Sequence, residues 1–317
     1  MALYSAGQVR LESGNLYAST MQPVLRVTNV RVNESINRAN VSVLNRSKPL
    51  AQRPVINYAQ VEGGFDYYKS DNSVEQMLGL VNPTGVMAAI TETKAANATV
   101  GIRSMQVVFA PTDSARYNGL LDLKSGVLTS YGLQGSVGEP MRGSVSFSFL
   151  DVSGSVNQTI RDTGNYNANL VKPAGMSLTG IQFTGYGITG VNIQSFSFNV
   201  GFGRTVVMQL GSKFPVERPL TDVGATLNVQ GWFDGLNNSM TGLSQYDCGD
   251  PTFGTAVLTM TPSCGGSTST VTMKNPYLES RSIEGQPGGF STVSFSFSMP
   301  LGANPLETSD GSVVTLG

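Results

Sequence analysis

A segment that occurs twice constrains this chain more than anything else in it. Val30 to Pro54 is one copy and Phe196 to Pro219 the other. Arg38 lines up with Arg204 and Leu44 with Leu210; Lys48-Pro49 matches Lys213 and Pro215, and Arg53-Pro54 matches Arg218-Pro219. A second pair of markers follows in the same order: Tyr131 leading into Val145-Ser146-Phe147-Ser148-Phe149, and Tyr277 leading into Val293-Ser294-Phe295-Ser296-Phe297. Markers repeated in order at a spacing of about half the chain predict a duplicated domain. Fusing two like domains is one way to build a symmetric ring from fewer chains.

The length of 317 residues accommodates two domains, each with its own core. The expected layout is a first β domain over residues 1–160, a second over 161–302 and a polar tail over 303–317. The tail is expected to order only where a neighbour holds it. With 37 glycines and 13% charged residues, the composition favours strands and turns. Strand patterning is plain at Val145, Phe147 and Phe149 and at Val293, Phe295 and Phe297, where apolar residues alternate with serine. The serine face is uncharged, which suits contact with another subunit; a solvated serine face is the blander reading. In Val191–Val200 the apolar phase shifts between Ile193 and Phe196, which predicts a β-bulge near Gln194-Ser195. Asn118-Gly119 and Ser125-Gly126 read as two close turns of a short meander. Ser73-Val74-Glu75-Gln76 reads as a capping box opening a short helix that Gly79 ends, with Asp71 and Asn72 as rival caps. A weaker counterpart lies at Asn237–Leu243. The fold class is therefore all-β with one or two short helices, arranged as two tandem β-sandwich or barrel domains. The stretch from Ser153 to Asn167 reads as a linker.

The chain has no histidine, which removes Ser-His-Asp and Cys-His nucleophile systems and histidine-ligated zinc. Cys248 and Cys264 are too few for a thiolate metal site, and a reducing compartment argues against a bond between them. Carboxylates are scattered, without a catalytic cluster. Gly185-Tyr186-Gly187-Ile188-Thr189-Gly190 matches a dinucleotide fingerprint in letters, but a strand pattern follows where the mechanism needs a helix, so it reads as a glycine turn. No catalytic, cofactor-binding or metal-binding residue is assigned, no cofactor is expected, and an enzyme is not expected. A net charge of −1 gives no reason to expect tight nucleic-acid binding. The first residues lack the regions of a signal peptide, and no apolar run approaches the roughly 20 residues that span a bilayer. The expectation is a soluble protein made in a cytoplasm, with no membrane insertion. Trp232, beside Phe233 in an alternating strand, is expected in the core.

The run from Gln194 through Arg204-Thr205 to Lys213-Phe214-Pro215 and Glu217-Arg218-Pro219 resembles the tail tube proteins of tailed bacteriophages. Tyr131–Pro140 before Val145–Phe149 is similar to them too. The resemblance implies a β-sandwich or barrel with a flanking helix, whose sheets join into a β-lined ring. Such rings stack into the tube that carries DNA from the virion to the host. A chain with two such domains resembles the form in which a trimer makes a pseudo-hexamer. The implied partners are further copies of this chain, other tail proteins such as a sheath or tape measure, and DNA passing non-specifically through the lumen. The implied location is the virion tail, after assembly in the host cytoplasm. Two other roles stand beside this one: a tube initiator, hub or distal tail protein of the same fold, and an adhesin-type carbohydrate-binding pair of sandwiches. The positions carrying the repeat are Arg38, Leu44, Lys48, Arg53, Arg204, Leu210, Lys213 and Arg218.

Overall fold

The computed structural model describes residues 4–12, 21–24, 26–39, 55–80, 102–111, 119–156, 175–186, 188, 191–207, 218–233, 254–262, 268–285, 291–300 and 313–316. Leu44, Lys48, Arg53, Leu210, Lys213, Cys248, Cys264 and the helix candidate at Asn237–Leu243 lie outside them. The described fold is nearly all β, with antiparallel pairing and one short helix.

The first half holds β1 (Tyr4–Glu12), β2 (Met21–Val24), β3 (Val27–Ala39), β4 (Val55–Tyr68), α1 (Ser73–Leu78), β5 (Ile102–Pro111), β6 (Gly119–Ser136), β7 (Arg142–Phe149) and β8 (Asp151–Val156). The second holds β9 (Met176–Thr184), β10 (Val191–Arg204), β11 (Leu220–Phe233), β12 (Thr255–Pro262), β13 (Ser269–Lys274), β14 (Tyr277–Glu284), β15 (Thr292–Pro300) and β16 (Val313–Leu316). Each half builds two layers. One runs β3-β4-β7-β6 in the first half and β10-β11-β15-β14 in the second. The other runs β2-β1-β5-β6-β8 in the first half and β9-β12-β13-β16 in the second.

The layers branch at β6, which is long enough to serve both. Its upper part pairs with β7, and its lower part pairs with β5 on one side and β8 on the other. Ser125, with φ 53°, marks the bend. The second half has Asn275, φ 58°, at the matching place, followed by Pro276. Proline has no N–H to give a ladder, so the strand divides there into β13 and β14. The Ser125-Gly126 turn is thus corrected: both residues lie inside β6. Gly119 opens β6 opposite Phe109, and Asn118 lies outside the described residues. Ser153–Val156, read as linker, is part of β8. Val313–Leu316, read as tail, is β16, paired with β13 and buried at Val314 and Leu316.

The two halves also share their irregularities. The bulge at Thr28 of β3 matches the one at Gln194 of β10, where the apolar phase shift predicts it. Thr129 of β6 matches Glu279 of β14, and Gly7 of β1 matches Thr179 of β9. This register puts Arg38, opposite Ile56, level with Arg204, opposite Leu220, as the sequence alignment has it. It corrects the second marker pair, the serine-phenylalanine run by two residues and the tyrosine by four: Phe147 is level with Phe297 rather than Phe295, and Tyr131 with Arg281 rather than Tyr277.

Alternation sorts each sheet into an apolar and a polar face. One row crosses the first layer as Val30, Phe65, Val145, Tyr131, Val200, Ala225 and Met299. All but the partly buried Val30 are core. The next row reads Arg31, Gly64, Ser146, Ser130, Gly201, Gly224 and Pro300, on the opposite face. In the second half the layers meet where Phe183 of β9 stacks on Phe297 of β15, centroids 5.2 Å apart, with Tyr186 edge-on to the same ring. Trp232 is not core: it falls in the phase of Thr226, Asn228 and Gln230 and is 45% exposed. Large and small residues trade places between the halves. Tyr67 lies over Gly143 in the first, while at the matching positions Gly231 faces Val293 in the second.

α1 begins after Asn72 rather than at a Ser73 capping box, and Asp71 Oδ1 accepts from the Ser73 N–H. Gly79 closes it in the left-handed conformation, φ 74°.

Candidate assembly interface

The feature that sets this molecule apart from two separate sandwiches is the junction between its halves. β6, the last strand of the first layer in the first half, pairs with β10, the first strand in the second. The ladder runs from Ser136–Ser195 to Ser130–Gly201 and lies between the bulges at Thr129 and Gln194. The first layer is therefore one eight-stranded sheet, β3-β4-β7-β6-β10-β11-β15-β14. Its core side is continuous across the junction, with Tyr131 beside Val200 and Leu133 beside Phe198, all buried.

Two arginines staple the junction from the second half. Arg204 donates from Nε to the Leu128 carbonyl at 3.1 Å and from Nη1 to the Arg218 carbonyl at 3.0 Å. Arg218, at 6% exposure, donates from Nη1 to the carbonyl and hydroxyl of Ser148 and from Nη2 to the carbonyl of Ser125 at the bend of β6. The planar fork suits two backbone oxygens that belong to different strands. Of the repeat positions, the structure thus brings Arg204 and Arg218 together. It places Arg38 on β3, at the far edge of the same sheet.

A second tie crosses the halves beneath α1. Lys69 and Glu75, both buried, form an ion pair at 2.7 Å. Glu75 Oε1 also accepts from the hydroxyls of Tyr67, 2.8 Å, and Tyr131, 2.6 Å. Burial, then the adjacent Glu75 charge, pushes both phenols well above their ordinary value, so both stay protonated. Asn72 Oδ1 accepts from Lys69 Nζ and from the hydroxyl of Ser269 in the second half, each at 2.8 Å. Backbone bonds link Lys69, Met141 and Met176 in a triangle across the same seam. Sequence reasoning reads α1 as a helix but misses this network; an acidic residue inside an apolar helix face followed by a Tyr in a distant strand is too weak a local signal.

The polar face of the sheet carries serine, glycine, asparagine and threonine, with few charges. Arg31 is paired with Asp66 at 3.0 Å, and Arg142 lies 5.6 Å over the Tyr68 ring. Two shallow hollows open on this face. One, of about 510 Å3, is lined by Arg31, Glu62, Ser146, Ser148 and both stapling arginines; the other, of about 380 Å3, by Asn29, Asp66, Arg142, Ser144 and Asn199. Among the described residues no cluster of three or more Asp, Glu, Cys or His could hold a metal ion. Among them also, no helix is long and apolar enough to cross a membrane. No protein-family model matches this chain, and no curated protein matches it either.

Proposed function

We propose that this chain is a duplicated-domain structural subunit of a bacteriophage tail tube. In this reading it has no catalytic role. Three chains form a ring of pseudo-sixfold symmetry, and rings stack into the channel through which DNA enters the host. The single observation that carries the reading is the eight-stranded sheet. It consists of two groups of the same strand order, joined edge to edge by β6 and β10, and among the described residues it ends in two further edges, β3 and β14. Ordinary domains suppress open edges because they invite pairing with another chain; a ring requires them.

The polar face suits a channel lining. Phosphate contacts accumulated along a tube would retard DNA, and here the arginines Arg31 and Arg142 are engaged by Asp66 and Tyr68. The test is negative-stain microscopy of the purified protein with symmetry averaging of end-on views. Rings of three large lobes with six similar sub-lobes, stacking into long hollow tubes, are expected. Discrete rings that never stack would favour a tube initiator, hub or distal tail protein of the same fold, and six chains per ring would overturn the trimer. One observation favours the carbohydrate-binding alternative: Trp232 is exposed on the polar face. Binding to a glycan panel by a protein that stays monomeric would establish that role and remove the tube.

A further inference from the structure

The internal junction is a template for a junction between copies, and it specifies which residues meet. β14 is the strand of the second half that corresponds to β6, and β3 is the strand of the first half that corresponds to β10, by layer order and by matching bulges. Within the chain, β6 and β10 pair with each other; among the described residues β14 and β3 are the two ends of the sheet. Carrying the β6–β10 register over to them sets Ser280 opposite Ser35, Arg281 opposite Glu34, Ser282 opposite Asn33, Ile283 opposite Val32 and Glu284 opposite Arg31.

We propose that β14 of one copy pairs antiparallel with β3 of the next in this register, closed by an Arg281–Glu34 pair on the core side and a Glu284–Arg31 pair on the polar side. This proposal rests on the ring reading above and adds to it the surface and the contacts. Nothing in the transposition selects for chemistry, yet each pair is complementary: two opposite-charge pairs, two small polar pairs and one apolar pair. The apolar pair is informative by itself. Ile283 is 52% exposed and Val32 36% exposed, the matching Leu133 and Phe198 being buried against each other at the internal junction. Opposite charges directly across a ladder stabilise it and like charges destabilise it. A slip by one residue would turn every side chain to the wrong face. A slip by two residues in one sense sets Glu34 opposite Glu279, and in the other sets Glu34 opposite Ile283 and Arg31 opposite the residue after Gly285. Of these registers, the transposed one alone sets Arg281 and Arg31 each opposite a carboxylate.

The experiment is a charge swap in the full chain, read by sedimentation velocity and end-on microscopy. Glu34→Arg and Arg281→Glu, each alone, set like charges at every junction and are expected to weaken association about tenfold per junction. Both together restore the pair with reversed polarity and are expected to restore wild-type assembly. As a second measurement, Val32→Cys with Ile283→Cys is expected to give oxidised intermolecular dimers and larger species, and Val32→Cys with Ser280→Cys none beyond the background of the native cysteines. If wild-type rings form but the swap stays as weak as the single variants, or the two cysteine pairs cross-link equally, the register is overturned and the ring reading survives. If the wild type never associates at any concentration, the ring reading falls, and this proposal with it.

Discussion

Removing the Arg218 guanidinium is the sharpest test of how the halves are held. Arg218→Ala deletes charge-assisted bonds to the carbonyls of Ser148 and Ser125 and to the Ser148 hydroxyl, at a site that is 6% exposed. Charged hydrogen bonds contribute about 1.5–3 kcal/mol each, and acceptors left without a partner add to the loss. Water entering the nearby hollow re-solvates part of them, so the expected cost is about 3 kcal/mol rather than the full sum. Arg204 is coupled to it, because its Nη1 bonds the Arg218 carbonyl and both hold the bend of β6. Arg204→Ala is expected to cost about 2 kcal/mol, and the double variant less than the two losses added, by about 1 kcal/mol. Arg218→Lys keeps the charge but not the fork, so it recovers less than half. Urea unfolding followed by far-ultraviolet circular dichroism, under conditions where the chain is dispersed, supplies all four values. Losses below about 1 kcal/mol for Arg218→Ala, or strict additivity, would refute the staple and leave the β6–β10 ladder and the tie beneath α1 to join the halves.

Two further outcomes are expected. Tyr67 and Tyr131 have folded pKa values raised above the ordinary 10.0. Their contribution is therefore fully present below pH 10 and is lost as pH rises toward the folded values. Each such phenol steepens the alkaline fall by about 1.4 kcal/mol per pH unit in that window. Tyr131→Phe is expected to remove one such share of the slope in urea titrations between pH 9 and pH 11.5, and an unchanged slope would sink the argument. Gly143→Ala sets a methyl carbon 2.2 Å from Tyr67 Cζ, and because that ring is buried the expected cost is about 3 kcal/mol by chemical unfolding; Tyr67→Phe in the same chain does not rescue it, since the clash is with ring carbons.

Local patterns carried much of this fold. The alternation in β7, β10 and β15 gave faces as well as strands, because a period of two can only place Phe147, Phe198 and Phe297 on one side. The phase shift at Ile193 gave the bulge, because an extra residue is the one way to keep Phe196 on the face of Ile193. Helix α1 and its Gly79 end were equally local. What failed was decided by partners far along the chain. Ser125-Gly126 has turn chemistry, but the pairing of β6 with β5, β7 and β8 carries the strand through it as a bend rather than a reversal. Val313–Leu316 looks like tail until β13 offers it an edge. Trp232 departs from the expected core position because phase outweighs hydrophobicity: the buried Ala225, Leu227 and Val229 assign its face to the polar side. The alignment of Arg38 with Arg204 agrees with the strand register, but the serine-phenylalanine runs match themselves at every second residue. Only the bulges at Thr129 and Glu279 fix that register.

The chemical difference between the internal junction and the proposed one follows from how each would form. At the internal junction, Tyr131 and Leu133 meet Val200 and Phe198. A tether keeps these strands in one chain, so an apolar seam there folds as part of a single core and is never offered to another molecule. The matching positions on the outer edges carry Arg281 and Glu34 beside Ile283 and Val32, with Glu284 and Arg31 on the other face. Edges as apolar as the internal one would pair in any register and with any chain, which is the route to aggregation. Charge on both edges opposes such indiscriminate pairing. The same charges make the proposed junction sensitive to salt, while the internal one is not. Raising ionic strength from about 0.05 M to 0.5 M shortens the screening length from roughly 14 Å to 4 Å. Ring association should weaken over that range with no parallel loss in the unfolding free energy of the dispersed chain. Equal sensitivity of the two would mean that the edges are not held by these pairs.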